Sequence, residues 1–320
     1  MRTRRSQFSG NPMQSGHRSV LLHEAIEQLA IELNDTVVDA TLGGAGHALA
    51  IAQKLGKGGT LIGIDADHDA IVRAQEALAD VVPKVHLVEG NFRDLKAQLD
   101  KLGVANITKA LFDLGWSSYQ LDSGRGFSLK ADEPLLMTYS KDLGALTAAR
   151  IVNEWAEESL ADVLYGWGEE RYSRRIAKSI VQRRETKPFT TARELAETIY
   201  EAVPPRYRFG KIHPATRTFQ ALRIAVNDEL GSLSQGLGGA WQALSRGGRI
   251  AVITFHSIED RLVKQTFKQW EEAGEGKRIT PKDSKLPTGQ AKKFFVVPTK
   301  DEVTSNPRAR SAKLRVIQKI

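Results

Sequence analysis

Val37-Val38-Asp39-Ala40-Thr41-Leu42-Gly43-Gly44-Ala45-Gly46-His47 opens on a short apolar run, breaks at three glycines within four positions, and resumes as a helical pattern through Leu49, Ile51, Ala52 and Leu55. Strand, glycine turn and helix together leave free backbone N–H groups at the head of a helix, where an anionic ligand group can sit. A tight turn with no ligand has the same local pattern, so the stretch decides the fold before it decides a function. Further along come Gly59 to Asp65, Val85 to Val88 and Ala110 to Asp113, each a buried strand, with a helical pattern carrying Ile71, Ala74 and Leu78 between the first two. Apolar strands alternating with helices predict a parallel, doubly wound α/β sheet.

In such a sheet, ligands bind beyond the carboxyl ends of the strands. Gly43, Asp65, Phe92 and Asp113 all fall at those ends. An acid ending the second strand, about twenty residues past a glycine turn, is placed to accept hydrogen bonds from ribose hydroxyls. That leaves two nucleoside cofactors, a nicotinamide dinucleotide or S-adenosyl-L-methionine. The turn lacks the G-x-G-x-x-G spacing of dinucleotide sites and ends in His47. An acid closing the fourth strand suits a cationic sulfonium better than a hydride carrier, which argues for methyl transfer.

After Asp113 the alternation stops. Leu114 to Asp122 leads into Gly124-Arg125-Gly126-Phe127-Ser128, too long for a simple connection. From about Ala145 to Pro205 the pattern is helical, with Thr191 a predicted cap and Glu194 three residues on. Arg171, Arg174, Arg175 and Lys178 follow i, i+3, i+4, i+7 and share one face, while Ile176 and Ile180 point to a core. That stripe is either a solvated surface or a rail for RNA phosphates. Beyond Pro214, Phe219, Leu222, Val226 and Leu230 predict one apolar helix side, with Arg217, Gln220 and Asn227 on the other. Gly247 to Phe255 predicts a fifth strand. Phe294 to Val297 and Leu314 to Ile317 predict a closing pair, the last strand amphipathic. A late strand pair is how methyltransferase sheets end.

The 320 residues, 41% apolar, can bury a large core. With no cysteine, disulfides, thiolate-bound zinc and a cysteine nucleophile are excluded together. No stretch approaches the roughly 18 apolar residues that a membrane span needs, and Met1 to Arg18 is basic without an apolar segment, so the expectation is a cytoplasmic protein with no membrane partner and no metal. Charge is uneven: +4 over residues 1–20 and +9 over 277–320, against +8 for the whole chain, which leaves −5 for the middle. Basic ends on an acidic body suggest a polyanionic partner, with solubilising tails as the plainer alternative.

At this point several long motifs, in order, carry a resemblance. They are Asp113 to Asp122 with Arg125-Gly126-Phe127-Ser128, Tyr165-Gly166 through Arg171, His213 to Ile224, Phe255 to Arg261, and Asn306 to Ser311. From about His17 to Arg315 the chain resembles the bacterial ribosomal small-subunit RNA cytosine-N4 methyltransferases, which modify a cytosine in the decoding centre of 16S RNA. The resemblance implies a Rossmann-like, class I S-adenosylmethionine-dependent methyltransferase sheet with an inserted helical domain. Its parts would be a basic arm over 1–18, a discontinuous methyltransferase domain over 19–120 and 206–320, and a helical RNA-recognition lobe over 121–205. It implies donor contacts at Ala45, Gly46, His47, Asp65, Phe92, Asp113 and Gln120. The turn amides would meet the methionine end, Asp65 the ribose, and Phe92 the adenine. For His47 the alternative is a helix-end histidine bonded to backbone. The expected RNA contacts are Arg171, Arg174, Arg175, Lys178, Arg217, Arg308 and Arg310, on small-subunit ribosomal RNA within an assembled or assembling subunit.

Cytosine's exocyclic amine is conjugated with its ring and is a poor nucleophile until rehybridised, so catalysis must come largely from positioning. Amine-directed methyltransferases use an Asp/Asn/Ser-Pro-Pro-aromatic loop after the fourth strand, and Asp113-Leu114-Gly115-Trp116 occupies that place without the prolines. Asp113 is expected to orient the amine. Trp116 is expected either to stack on a flipped-out base or to pack against the lobe. The chain departs from the family where Pro-Leu-Asp-Met-Arg-Met reads Pro134-Leu135-Leu136-Met137-Thr138-Tyr139, where Trp116 and Tyr119 replace valine and proline, and where Ala45 replaces a glycine and would narrow the donor space. Two other readings stand beside this one: a methyltransferase for another RNA base or a small molecule, and a catalytically silent RNA-binding or assembly protein.

Overall fold

The computed structural model describes residues 18–115, 124–139, 144–279 and 294–320. Trp116, Tyr119, Gln120 and almost all of the expected basic arm lie outside the described residues. Among the described residues seven strands form one sheet: β1 Thr36–Asp39, β2 Thr60–Asp65, β3 Lys84–Glu89, β4 Ile107–Asp113, β5 Leu244–Thr254, β6 Gly276–Arg278 and β7 Lys313–Lys319. Their order is β3-β2-β1-β4-β5-β7-β6. β1 to β5 run parallel, and β7 is antiparallel to both β5 and β6.

Both faces of the sheet are covered, which is why the strands read as continuous apolar runs. Successive side chains alternate between faces. Val37, Leu61 and Leu111 pack with the helices Leu22–Leu29, Gly46–Ala52 and His68–Ala77. Val38, Ile62 and Phe112 pack on the other side with Leu95–Lys101, Glu229–Ala243 and Ser257–Glu272.

A third apolar cluster belongs to the helical lobe, built from Ala148–Glu154, Glu157–Gly168, Ser173–Thr186, Ala192–Ala202 and Thr216–Asn227. Its buried members run from Phe127 to Leu222, so the helix Thr216–Asn227 contributes Phe219 and Leu222 from beyond residue 205. Thr191 Oγ1 accepts the Glu194 N–H and Glu194 Oε2 accepts the Thr191 N–H, the reciprocal cap that the spacing predicts.

The chain's last third differs from expectation in three places. Phe294 to Val297 is not a strand: only Val296 bridges to Leu314, and the edge partner of β7 is Gly276–Arg278. β7 is not amphipathic, because it lies inside the sheet between β5 and β6, and Leu314, Arg315, Val316 and Ile317 are all buried. Arg315 tolerates that burial through a hydrogen-bonded ion pair with Asp260 at 2.7 Å. Leu230 does not continue the Phe219 helix. That helix stops at Asn227, where Asp228 turns left-handed (φ 44°), and Leu230 belongs to the next, Glu229–Ala243.

Candidate active site

β1 is the strand from which the sheet grows in both directions, to β2 on one side and β4 on the other, and the crevice at such a switch point is where doubly wound folds bind ligands. The chain leaving β1 is stitched to both neighbours. Ala40 N–H donates to the Leu111 carbonyl and Leu42 N–H to the Ile64 carbonyl. Gly43 N–H then donates to Asp65 Oδ2 at 2.9 Å, and Thr41 Oγ1 accepts the Asp113 N–H at 2.7 Å. Gly43 has φ +51°, and a Cβ there would meet nothing within 4 Å, so the turn faces open space.

Two pockets meet over this turn. The smaller is lined by Gly43, Asp65, Asn91, Phe92, Asp113 and Ser232, among others. Phe92 is held by an edge-to-face contact with Phe112 at 5.7 Å, and Gly236 lies so close to its ring that a Cβ would come within 2.6 Å. The larger is a cleft of about 850 Å³ between sheet and lobe. Its walls include His47, Asp113, Phe127, Gln220, Phe255 and Arg308. Thr41, Gly43 and Asp113 to Gly115 border both. Gly115 can have no side chain: its Cβ would lie 2.7 Å from the Phe255 ring.

Behind the turn lies a buried ionisable group. His47 Nε2 is 3.2 Å from the Val20 carbonyl and Nδ1 is 3.4 Å from Asp113 Oδ2. A carbonyl only accepts, so we infer from the hydrogen bonding that Nε2 carries hydrogen. Nδ1 then offers hydrogen to Asp113 only in the imidazolium form. Burial pulls His47 down, but the Asp113 hydrogen bond and the Asp113 and Asp39 charges outweigh it and raise its pKa. Asp39 is fully buried; Oδ1 accepts the Thr41 N–H, and among the described residues Oδ2 has no hydrogen-bond partner. Burial pushes its pKa up to about 7, with the His47 charge opposing. Burial also raises Asp65, against the Gly43 and Asp67 N–H groups that favour its charged form.

The expected donor residues therefore divide. His47, Asp65, Phe92 and Asp113 converge on the two pockets. Ala45 and Gly46 do not line them. Ala45 is 1% exposed and its methyl packs into the apolar layer beneath the turn, so it does not narrow the cleft. Gly46 is pressed against Ser19 Oγ, 2.2 Å from where a Cβ would be. Trp116 and Gln120 lie outside the described residues. Of the basic residues, Arg308 lines the cleft. Arg310, Arg174, Arg175 and Lys178 are exposed, the last three on the helix Ser173–Thr186. Arg171 precedes that helix and lies over the rings of Tyr172 and Tyr207, and Arg217 donates to the Glu169 carbonyl.

Residue patterns did not single out Asp39, nor a network at the cleft's inner end. There Arg223 binds Glu229 through two hydrogen bonds of 2.7 and 2.9 Å, and Tyr139 O–H donates to Glu229 Oε1 at 2.7 Å. Tyr139 stands where the family motif has its last methionine, about ninety positions before its partner. Among the described residues, Glu229, His256 and Glu259 have ligand atoms within 4.8 Å of one another. Glu229 is already neutralised by Arg223, whose guanidinium would oppose a cation there.

Sheet order, the antiparallel seventh strand, the glycine turn after β1 and the acids ending β2 and β4 define an S-adenosylmethionine-dependent methyltransferase of class I architecture. The chain belongs to the MraW methylase family, whose model matches residues 14–320. It is 45% identical over 311 residues to a protein of Brevibacillus brevis, covering 95% of this chain and 98% of that one. It is 46% identical to one of Symbiobacterium thermophilum, covering 95% and 96%, and 41% identical to one of Clostridioides difficile, covering 96% and 100%. Each of those relatives is named ribosomal RNA small subunit methyltransferase H.

Proposed function

We propose that this chain transfers a methyl group from S-adenosylmethionine to the exocyclic N4 amine of a cytosine in the decoding centre of small-subunit ribosomal RNA. The observation that carries the reading is the position of Asp113, which borders both the small pocket and the lobe-side cleft. A carboxylate shared by two pockets can face a donor in one and an acceptor in the other. The names of the relatives support the RNA; an assembled or assembling small subunit as its form, and a cytoplasmic reaction, belong to the same reading.

The residues fit the donor. Gly43 leaves open space at the turn, the Asp65 carboxylate can accept from ribose hydroxyls, and Phe92 offers a flat apolar wall. When bound, the donor supplies an electrophilic methyl on a sulfonium. Asp113 holds the amine by accepting from its N–H, drawing the nitrogen out of conjugation and aligning its lone pair. With the donor bound, the amine nitrogen would take its methyl, and Asp113 would accept the proton that the amine gives up. His47, in its imidazolium form, orients that carboxylate. Gln220 and Phe255 on the cleft wall are placed to contact a base taken out of its stack.

The test is incubation with labelled S-adenosylmethionine and unmethylated small subunits, followed by mapping of the label. Label on N4 of a decoding-centre cytosine is the expected result. Label on another base or none at all overturns the reading.

A further inference from the structure

The segment between the lobe helix Ala192–Ala202 and the helix Thr216–Asn227 presents an aromatic ring to solvent and fastens both of its flanks. Phe209 is 83% exposed, the largest exposure among the large apolar residues described. On its N-terminal side, Tyr207 O–H donates to Glu170 Oε2 at 2.6 Å, and its ring packs edge-on against Tyr172 at 4.9 Å. Arg171 lies over both rings, at 5.0 and 4.8 Å. Arg208 turns back, donating from Nε to the Val203 carbonyl at 3.1 Å and from Nη2 to the Glu201 carbonyl at 2.8 Å, with its guanidinium over Tyr200. On the C-terminal side, Gly210 N–H donates to the Tyr207 carbonyl, His213 stacks on Tyr200, and His213 Nδ1 accepts the Ala215 N–H.

A loosely held loop would fold a phenylalanine inward. Here the residues on either side of Phe209, Arg208 and Gly210, are hydrogen-bonded to backbone carbonyls, and the ring between them stays exposed. Arg206 and Lys211, both exposed, flank it. Glu201, at the end of the anchoring helix, is the acid to be set against them. Lys130, close enough to His213 to hold its pKa down after burial, lines the cleft, as does Thr216. Phe209 is seven residues from Thr216, so it lies within about 25 Å of the cleft mouth.

An exposed aromatic ring flanked by cations, near the cleft proposed above to take a single base, matches how proteins hold unpaired nucleic acid: bases stack on the ring while cations track the backbone. Resting on the function proposed above, we infer that Phe209 is a stacking platform for an unpaired RNA base flanking the target nucleotide, with Arg206 and Lys211 on adjacent phosphates. The ring holds the strand in register while the target base occupies the cleft.

The test uses the full-length chain and unmethylated small subunits. Phe209→Ala is expected to leave thermal stability and S-adenosylmethionine affinity unchanged and to weaken subunit affinity about 5- to 100-fold, with Phe209→Tyr restoring it. The slope of affinity against salt should be unchanged by Phe209→Ala and reduced by about one by Lys211→Ala. A photo-crosslinking phenylalanine at position 209 should attach to 16S RNA. Attachment to a ribosomal protein, or wild-type affinity in Phe209→Ala, overturns the inference. Absence of label on small-subunit RNA with the wild-type protein is the separate failure, that of the proposed function.

Discussion

His47 Nδ1 lies 3.4 Å from Asp113 Oδ2, and this contact ties the helix that follows β1 to the carboxylate that ends β4. Val20 takes the other ring nitrogen, so among the described residues Nδ1 is directed at Asp113. In the proposed reaction the histidine's part is to fix a neighbour's direction. Asp113→Ala should lower kcat at least about 100-fold, the cost of misplacing a reacting group by about an ångström. His47→Gln should lower it less, about tenfold. In both, donor affinity measured by calorimetry should change far less than turnover; an equal loss in both measurements would make these residues binding groups only.

Asp39 predicts a pH dependence of stability. Its pKa is raised to about 7 in the folded chain, so between the ordinary carboxylate range near 3.8 and about 7 the folded state binds more protons than the unfolded one. Stability from this group is full below about pH 4 and is lost as pH rises through 7. Asp39→Asn should therefore gain stability relative to wild type as pH is raised from 5 to 8. Urea midpoints at the two pH values measure it. A difference that shrinks over that range contradicts the assignment.

Ala45 adopts φ 60°, ψ 11° at the head of the turn helix, a left-handed conformation that costs a residue with a Cβ roughly 1 kcal/mol. Its methyl is also buried, worth about 0.8 kcal/mol, and glycine adds unfolded-state entropy. These effects oppose one another. Ala45→Gly should shift stability by less than about 1 kcal/mol and leave the donor affinity unchanged, since the methyl faces the core. A clear gain in affinity would mean that the methyl crowds the pocket.

Arg223 and Glu229 form a buried pair with side chains 7% and 13% exposed. Removing one partner of such a pair leaves an uncompensated charge and typically costs about 3–5 kcal/mol. Arg223→Ala should therefore be strongly destabilising, and Arg223→Ala with Glu229→Gln together much less so. A denaturation double-mutant cycle gives the coupling, and simple additivity would show that the pair does not act as a unit.

The strand ends were legible because a parallel sheet covered on both faces writes its strands as apolar runs and puts its sites at their carboxyl ends. Gly43, Asp65, Phe92 and Asp113 could be read one by one and summed. The two closing strands were legible only in part. An edge strand of three residues, Gly276–Arg278, is too short to carry a period, and β7 loses its alternation once it is buried between neighbours. Ala45 could be named as the unusual position in the turn, but the direction of its methyl depends on a left-handed backbone that no spacing reveals.

The residue pattern by itself determined the α/β sheet, the glycine turn at its centre and the acids at its rim, since these follow from local periodicity and from chain direction. Tertiary structure alone decided the partners of those acids. Val20 meets His47 across 27 positions, Tyr139 meets Glu229 across 90, and Asp113 meets Thr41 across 72. Such contacts are set by how the lobe, the sheet and its two helical layers close on one another. They also decide which carboxylates keep their charge, because burial and a partner's distance, rather than residue type, shift a proton's affinity.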